Sequence, residues 1–270
     1  MNKPLQSTCD GGGPPVILLT GAGNGIGRAT ATALGARGYK LGLIDRDGEA
    51  LGRVVEGLRG GGKSVIGVSA DVCDRGSLKE AVAAIETEVG AIEVVVACAG
   101  VGRLSSAADL DLEGFRQMLE VNVLGVAKTI EAVLPGMFAR GRGHLVGISS
   151  VAGLRGMPWM PGYSASKAAL STYLEGLRPA LKLRGVRITT VYPGFVRTGI
   201  TVETPFRRPV AMLEPEQAAA YLVRAIERRP RDYAFPLSAA VGMGILRRMP
   251  NWMFDRCMDH AGPRALTSDF

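Results

Sequence analysis

Short apolar runs of strand length alternate with longer segments of helical period along this 270-residue chain, and that alternation leaves few folds open. The strand-length runs fall at 16–20, 40–45, 64–70, 92–98, 144–149 and 187–192, with a seventh near 233–236. Between them the spacing predicts helices at 26–37, 48–59, 75–89, 112–140, 162–183 and 215–229. Glycine and aliphatic residues are plentiful and aromatics make up only 6%, as expected of strands covered on both faces by helices. Strand, helix, strand repeated in this way predicts an α/β domain, a doubly wound, seven-stranded, mostly parallel sheet with helices on both faces. Right-handed crossovers put the C-terminal ends of the strands on one edge, where such sheets bind ligands.

No internal repeat, low-complexity linker or composition shift divides the chain, so a single domain is expected over 16–236. Residues 1–15 read as a disordered tail without the apolar core of a signal peptide, and 237–270 as an amphipathic helical extension. One stretch, 194–213, has turn formers and no period, the character of a lid. No uninterrupted apolar run reaches the roughly 18 residues a membrane span requires. The four cysteines (Cys9, Cys73, Cys98, Cys257) lack metal-ligand spacing and have only two histidines beside them, so no metal site is expected. Unpaired cysteines suit a reducing cytosol, and a cytoplasmic location is expected. The net charge of +7 comes from arginines scattered over several helices, which argues for solvated helix faces and against a nucleic-acid surface.

The chemistry gathers in two places. TGAGNGIG (20–27) follows the first strand and opens the first helix. There Gly21 allows a tight turn, Gly25 close approach of the backbone to a pyrophosphate, and Gly27 close helix–strand packing, with the free N–H groups of the helix start facing the anion. Asp45 ends the second strand, where a carboxylate accepts hydrogen bonds from an adenosine ribose and repels a 2′-phosphate. Arg46 beside it has the opposite preference. The second cluster is Tyr163-Ser164-Ala165-Ser166-Lys167, whose i, i+4 spacing puts a phenol and an ammonium on one helix face. A nearby fixed cation favours phenolate and fits the pair for moving a proton to or from an alcohol oxygen.

Together these residues resemble the short-chain dehydrogenase/reductase superfamily, whose members have a Rossmann fold. Its T-G-x-x-x-G-x-G motif matches Thr20–Gly27, its Y-x-x-x-K matches Tyr163 and Lys167, and its serine, thirteen residues before the tyrosine, is Ser150. Its mid-helix asparagine is matched by Asn122, its adenine-contacting acid by Asp71, and its P-G motif by Pro193-Gly194, with Thr198 four residues on. One departure is Cys98, where the family's N-N-A-G has an asparagine that knits neighbouring strands.

The resemblance implies an NAD(P)-dependent oxidoreductase interconverting a secondary alcohol and a ketone, with NAD(H) preferred and NADP(H) the alternative. It implies catalytic roles for Tyr163 as general acid/base, Lys167 as its pKa-lowering partner, Ser150 as a donor to the substrate oxygen, and Asn122 as the anchor of a water relay to Lys167. It implies cofactor contacts at Gly21, Asn24, Gly25, Ile26 and Gly27, at Asp45 and Arg46, and at Asp71 and Val72. Further contacts follow at Ala99, Gly100, Tyr163, Lys167, Pro193, Gly194, Val196 and Thr198. Met157, Trp159 and Met160 are candidate walls of an apolar pocket, which favours a lipophilic substrate. A homodimer or homotetramer is expected, and RRMPNWMF in the C-terminal extension (247–254) fits either subunit packing or, less favoured, peripheral membrane contact. The competing class, a non-catalytic NAD-binding regulator, predicts loss of Ser150, Tyr163 or Lys167, and all three are present.

Overall fold

The computed structural model describes residues 14–105, 110–199 and 212–261, without the side chains of 243 and 259–261. Nearly all of the expected N-terminal tail and the middle of the expected lid, 200–211, therefore lie outside the described residues. The elements run β1 (Val16–Thr20), α1 (Gly25–Ala36), β2 (Lys40–Asp45), α2 (Gly48–Gly60), β3 (Val65–Ser69), α3 (Arg75–Val89) and β4 (Ile92–Ala97). They continue α4 (Leu112–Leu119), a π-helical turn (Glu120–Gly125), α5 (Val126–Arg140), β5 (Gly143–Ile148), a 3-10 turn (Val151–Gly153), α6 (Pro161–Leu183) and β6 (Val186–Pro193). The last are α7 (Pro215–Arg228), β7 (Asp232–Phe235), α8 (Leu237–Arg248) and α9 (Asn251–Ala261).

The seven strands form one sheet in the order β3-β2-β1-β4-β5-β6-β7, and every pairing is parallel. Alternate residues of each strand feed two separate cores, as a period of two requires. Ile17, Leu19, Leu41, Leu43, Val94 and Val96 pack with Leu34 of α1, Leu58 of α2 and Leu222 of α7. On the other face, Leu18, Ile44, Ile92 and Val95 pack with Ile85 of α3, Ile130 of α5 and Leu174 of α6. The strand order reverses between β1 and β4, where successive crossovers run to opposite sides. The crevice at that point, outside the strand C-termini, is where a ligand fits.

The predicted helix 112–140 is one continuous rod, but its middle is the π-helical turn Glu120–Gly125. The buried positions Met118, Val121, Asn122, Gly125, Val126, Thr129 and Ile130 keep three- and four-residue spacing through it, so the apolar pattern does not betray the wider turn. Gly125 lies against Val72, whose Cγ2 would stand 2.8 Å from a β-carbon there, so the rod passes very close to the exit of β3. Among the described residues this rod is the one helix long and apolar enough to cross a membrane by length and composition. Its buried stripe, including Val121, Val126, Ile130 and Val133, belongs to the second core.

His144 in β5 is 1% exposed, and its Nε2 lies 2.9 Å from the Thr189 hydroxyl. Thr189 donates its own proton to the Pro230 carbonyl, so the imidazole donates through Nε2. Burial, with the charges of Arg229 and Arg187, pushes its pKa down to about 3, against about 6.5 in an unfolded chain. The unfolded state therefore binds the proton first as pH falls. Stability contributed by the neutral ring is fully present above about pH 6.5 and drains away toward pH 3, by an amount on the order of several kcal/mol. His144→Gln should flatten the acid limb of stability against pH, measured by urea unfolding at a series of pH values.

Candidate active site

The glycine loop between β1 and α1 is set by backbone contacts that side chains would prevent. Gly21 has φ +70°, and a β-carbon on it would stand 2.7 Å from the Ala99 Cα after β4. Gly27, in the first turn of α1, packs against the Gly21 carbonyl so closely that no β-carbon fits. Asn24 caps α1 in extended conformation without a side-chain cap bond, and no acidic residue occupies the first turn. The first N–H groups of α1 are thus left for an anion, reinforced by the helix dipole.

Asp45 is held from both sides: the Gly23 N–H donates to one carboxylate oxygen at 2.8 Å and the Asp47 N–H to the other at 3.0 Å. Gly23, unremarkable in the motif, is explained here. A β-carbon on it would come 3.0 Å from Asp45 Oδ2 and 3.1 Å from Ala50 Cβ, so any side chain would push the carboxylate away. Thr20, 1% exposed, accepts at its hydroxyl from the N–H groups of Cys98 and Ala99 at 3.2 and 3.3 Å. This stitch joins the ends of β1 and β4 without a side chain from position 98, where the family's asparagine is absent. The Cys98 thiol is pushed up to about 11, chiefly by burial, and stays protonated.

The second cluster meets the loop across the crevice. The Ser150 hydroxyl accepts from the Ala152 N–H at 3.1 Å and stands close enough to the Tyr163 phenol to pull its pKa down, and the Lys167 ammonium lies 5.7 Å from the Tyr163 ring centroid. Lys167 is 5% exposed and donates to the Ile148 carbonyl at 2.9 Å. The pKa directions differ from the simple expectation that the lysine depresses the phenol. Burial raises Tyr163, with Ser150 pulling against it, and the same desolvation pushes Lys167 down to about 8. In the protein alone, burial sets the direction of both shifts.

Asn122, fully buried, accepts from the Val101 N–H at 2.9 Å and donates to the Val101 carbonyl and the Ser166 hydroxyl at 2.9 and 3.0 Å. Both amide hydrogens are committed, so the side chain ties the segment after β4 to α6 and leaves no donor for a water. It is close to the ammonium all the same: a β-carbon on Gly100 would be 3.2 Å from Asn122 Oδ1 and 3.5 Å from Lys167 Nζ.

A cleft of about 480 Å³ runs between the two clusters. Every residue expected to be catalytic or to contact the cofactor lines it except Asn122, which lies behind its wall, and Gly194. Gly194 lines a smaller cavity of about 50 Å³ beside Ser150 and Tyr163. That cavity is walled by Leu104, Val151, Ala152, Met160 and Phe195. Of the three apolar candidates in the loop before Tyr163, Met160 takes part, whereas Met157 and Trp159 do not line it. Leu104 and Phe195 carry no motif, and only their position just after a strand end signals them. Among the described residues no group of three or more His, Cys, Asp or Glu side chains is arranged to hold a metal.

The family described as short chain dehydrogenase matches residues 15–207. The chain belongs to the short-chain dehydrogenase family. It is 40% identical over 238 residues to an uncharacterized oxidoreductase of Myxococcus xanthus, covering 88% of this chain and 94% of that protein. A short-chain dehydrogenase/reductase from Burkholderia phymatum, solved in complex with NAD, superposes with a TM-score of 0.79 at 29% identity, covering 86% of this chain and 92% of that one. An alcohol dehydrogenase from the archaeon Thermococcus sibiricus, complexed with 5-hydroxy-NADP, gives a TM-score of 0.73 at 29% identity over 82% of this chain and 94% of that one. This short-chain dehydrogenase is accordingly an oxidoreductase.

The packing around the loop makes a direct prediction. Gly27→Ala must displace the Gly21 backbone and should lower stability by several kcal/mol. Gly57→Ala, on an exposed face of α2 with nothing within 4 Å of a β-carbon, should raise it by about 0.5–1 kcal/mol. Thermal unfolding of the two variants checks both signs.

Proposed function

We propose that this oxidoreductase interconverts a secondary alcohol and a ketone with a nicotinamide dinucleotide as cofactor. The observation that carries the reading is the Ser150, Tyr163 and Lys167 side chains gathered on one wall of a cleft, the buried ammonium beside the phenol, facing an uncapped helix N-terminus across it. The donor set fits a dinucleotide. The free N–H groups at Gly25–Gly27 suit a pyrophosphate, the fixed Asp45 carboxylate suits ribose hydroxyls, and Asp71 and Val72 border the adenine end. When bound, the cofactor supplies or accepts the hydride.

The chain's own residues do the rest. Tyr163, raised by burial, is protonated at neutral pH and gives its proton to the carbonyl oxygen in reduction, taking it back in oxidation. Ser150 donates to the same oxygen as charge develops on it. The Lys167 ammonium stabilises the phenolate left behind, and Asn122 fixes the wall against which that ammonium sits. Asn122 is also proposed to anchor a water relay to Lys167, as an acceptor, since both of its amide hydrogens are committed. Val196 and Thr198, proposed to orient the nicotinamide end, both line the cleft, with Thr198 3.2 Å from a β-carbon on Gly25.

Asp45 favours NAD(H), because its anchored carboxylate repels a 2′-phosphate, while Arg46 on the rim keeps NADP(H) as the alternative. The Burkholderia phymatum and Thermococcus sibiricus structures hold NAD and an NADP derivative respectively, which supports the cofactor class. The apolar lining of the smaller cavity supports a lipophilic ketone or alcohol. We further propose a cytoplasmic homodimer or homotetramer.

Tyr163→Phe should keep NADH affinity, read by titration calorimetry, while turnover falls by about 10²–10⁴-fold; turnover near the wild-type rate would refute the assignment. In a panel of apolar and polar carbonyl compounds run with both cofactors, NADH and the apolar compounds should serve better. A clear NADPH preference would overturn the reading of Asp45.

A further inference from the structure

The α8–α9 pair presents a surface that the proposed chemistry leaves unused. Leu237, Val241 and Ile245 lie at i, i+4 and i+8, on one face of α8, and are 76%, 53% and 60% exposed. Arg248, three residues on, continues the stripe at the helix C-terminus, with the exposed Arg247 beside it. Just beyond the turn, Trp252 at the start of α9 is 69% exposed. Scattered exposed apolar residues are ordinary, but a full-length apolar ridge ending in two arginines and a tryptophan is not.

This face is fixed in place. Arg155, in the loop joining Ser150 to Tyr163, donates to the carbonyls of Leu246 and Met249 at 2.7 Å each and to Asn251 Oδ1 at 2.9 Å. Its guanidinium also stacks 4.1 Å over the ring of Phe254, a buried side chain of α9. One arginine thus caps α8, starts α9 and ties both to the substrate side of the cleft. At the other end α8 abuts the site as well, since Ala239 Cβ would stand 2.8 Å from a β-carbon on Gly194.

We propose that this face docks on an anionic lipid bilayer. α8 lies in the plane of the interface with Leu237, Val241 and Ile245 in the acyl region, Trp252 at headgroup depth, and Arg247 and Arg248 among the lipid phosphates. Charge complementarity selects this occupant. The cations gather at one end of the ridge, the chain carries +7 overall, and a protein partner would need an acidic patch placed to match. The docking does not depend on the reaction proposed above.

The test is co-sedimentation of the full chain with vesicles of phosphatidylcholine alone or mixed with phosphatidylglycerol. The protein should pellet with the anionic vesicles only, and less so as salt rises. Val241→Asp/Ile245→Asp and Arg247→Glu/Arg248→Glu should each cut binding by about tenfold or more with the circular dichroism spectrum unchanged. Should a variant misfold, a Trp159→Phe protein leaves Trp252 as the sole tryptophan, whose emission should shift to the blue on anionic vesicles. Failure to pellet with either vesicle would overturn the proposal, as would an unshifted Trp252 emission. So would a fall in the molar mass of the free Val241→Asp/Ile245→Asp protein by light scattering, which would give the face to a second copy.

Discussion

The molecule turns on one close approach, that of the Gly21 backbone to Ala99 where β1 and β4 end side by side. A doubly wound sheet opens a crevice at that point because its crossovers diverge there. The crevice keeps its shape only if the backbones can close in there, and a side chain at Gly21 or Gly27 would prevent it. Gly21 lets β1 turn away, Gly27 lets α1 begin against the turn, and Thr20 pins the two strand ends together through the Cys98 and Ala99 amides. With those contacts in place the start of α1 points its free amides into the cleft. The Tyr163–Lys167 face of α6 and Ser150 at the end of β5 complete the opposite wall.

That opposite wall concentrates buried polarity. Lys167 is 5% exposed, and water has been replaced around it by one carbonyl, a phenol ring and the packed Asn122 amide. An ammonium so placed loses affinity for its proton, and a phenol so placed loses the tendency to give one up. The two shifts run in opposite directions, so groups that both titrate at about 10 when free are driven apart, the lysine down to about 8 and the tyrosine upward with Ser150 partly relieving it. The apolar surroundings and the hydrogen bonds oppose one another here.

Sequence reading recovered the strands to within a residue or two, because a parallel sheet covered on both faces leaves an unmistakable alternation of short apolar runs and helical segments. β1 and β2 match at both ends, and β6 begins at Val186 where the apolar run suggested Arg187. The candidate residues came together because motif spacing encodes a fixed strand-to-helix geometry. What stayed hidden depends on contacts distant in the chain or on subtle backbone geometry. The π turn around Asn122 keeps the helical stripe intact. The commitment of the Asn122 side chain to Val101 and Ser166 requires knowing which loop lies opposite. Leu104 and Phe195 enter the smaller cavity from segments without any period, and the sign of the Tyr163 shift depends on burial that no spacing records.

The hydrogen bond from the Gly23 amide to Asp45 joins two parts of the site usually considered separately. The loop proposed to cradle phosphates and the carboxylate proposed to read the ribose share one strut, so neither can be altered alone. Replacing Asp45 to admit a phosphorylated ribose removes the acceptor of a loop amide as well as a negative charge. Enlarging Gly23 moves the carboxylate even though position 23 has no side chain to offer a ligand. On the proposed reading, cofactor choice belongs to a two-residue unit at the ends of the first and second strands, and a redesign that treats it as one position inherits a loosened loop.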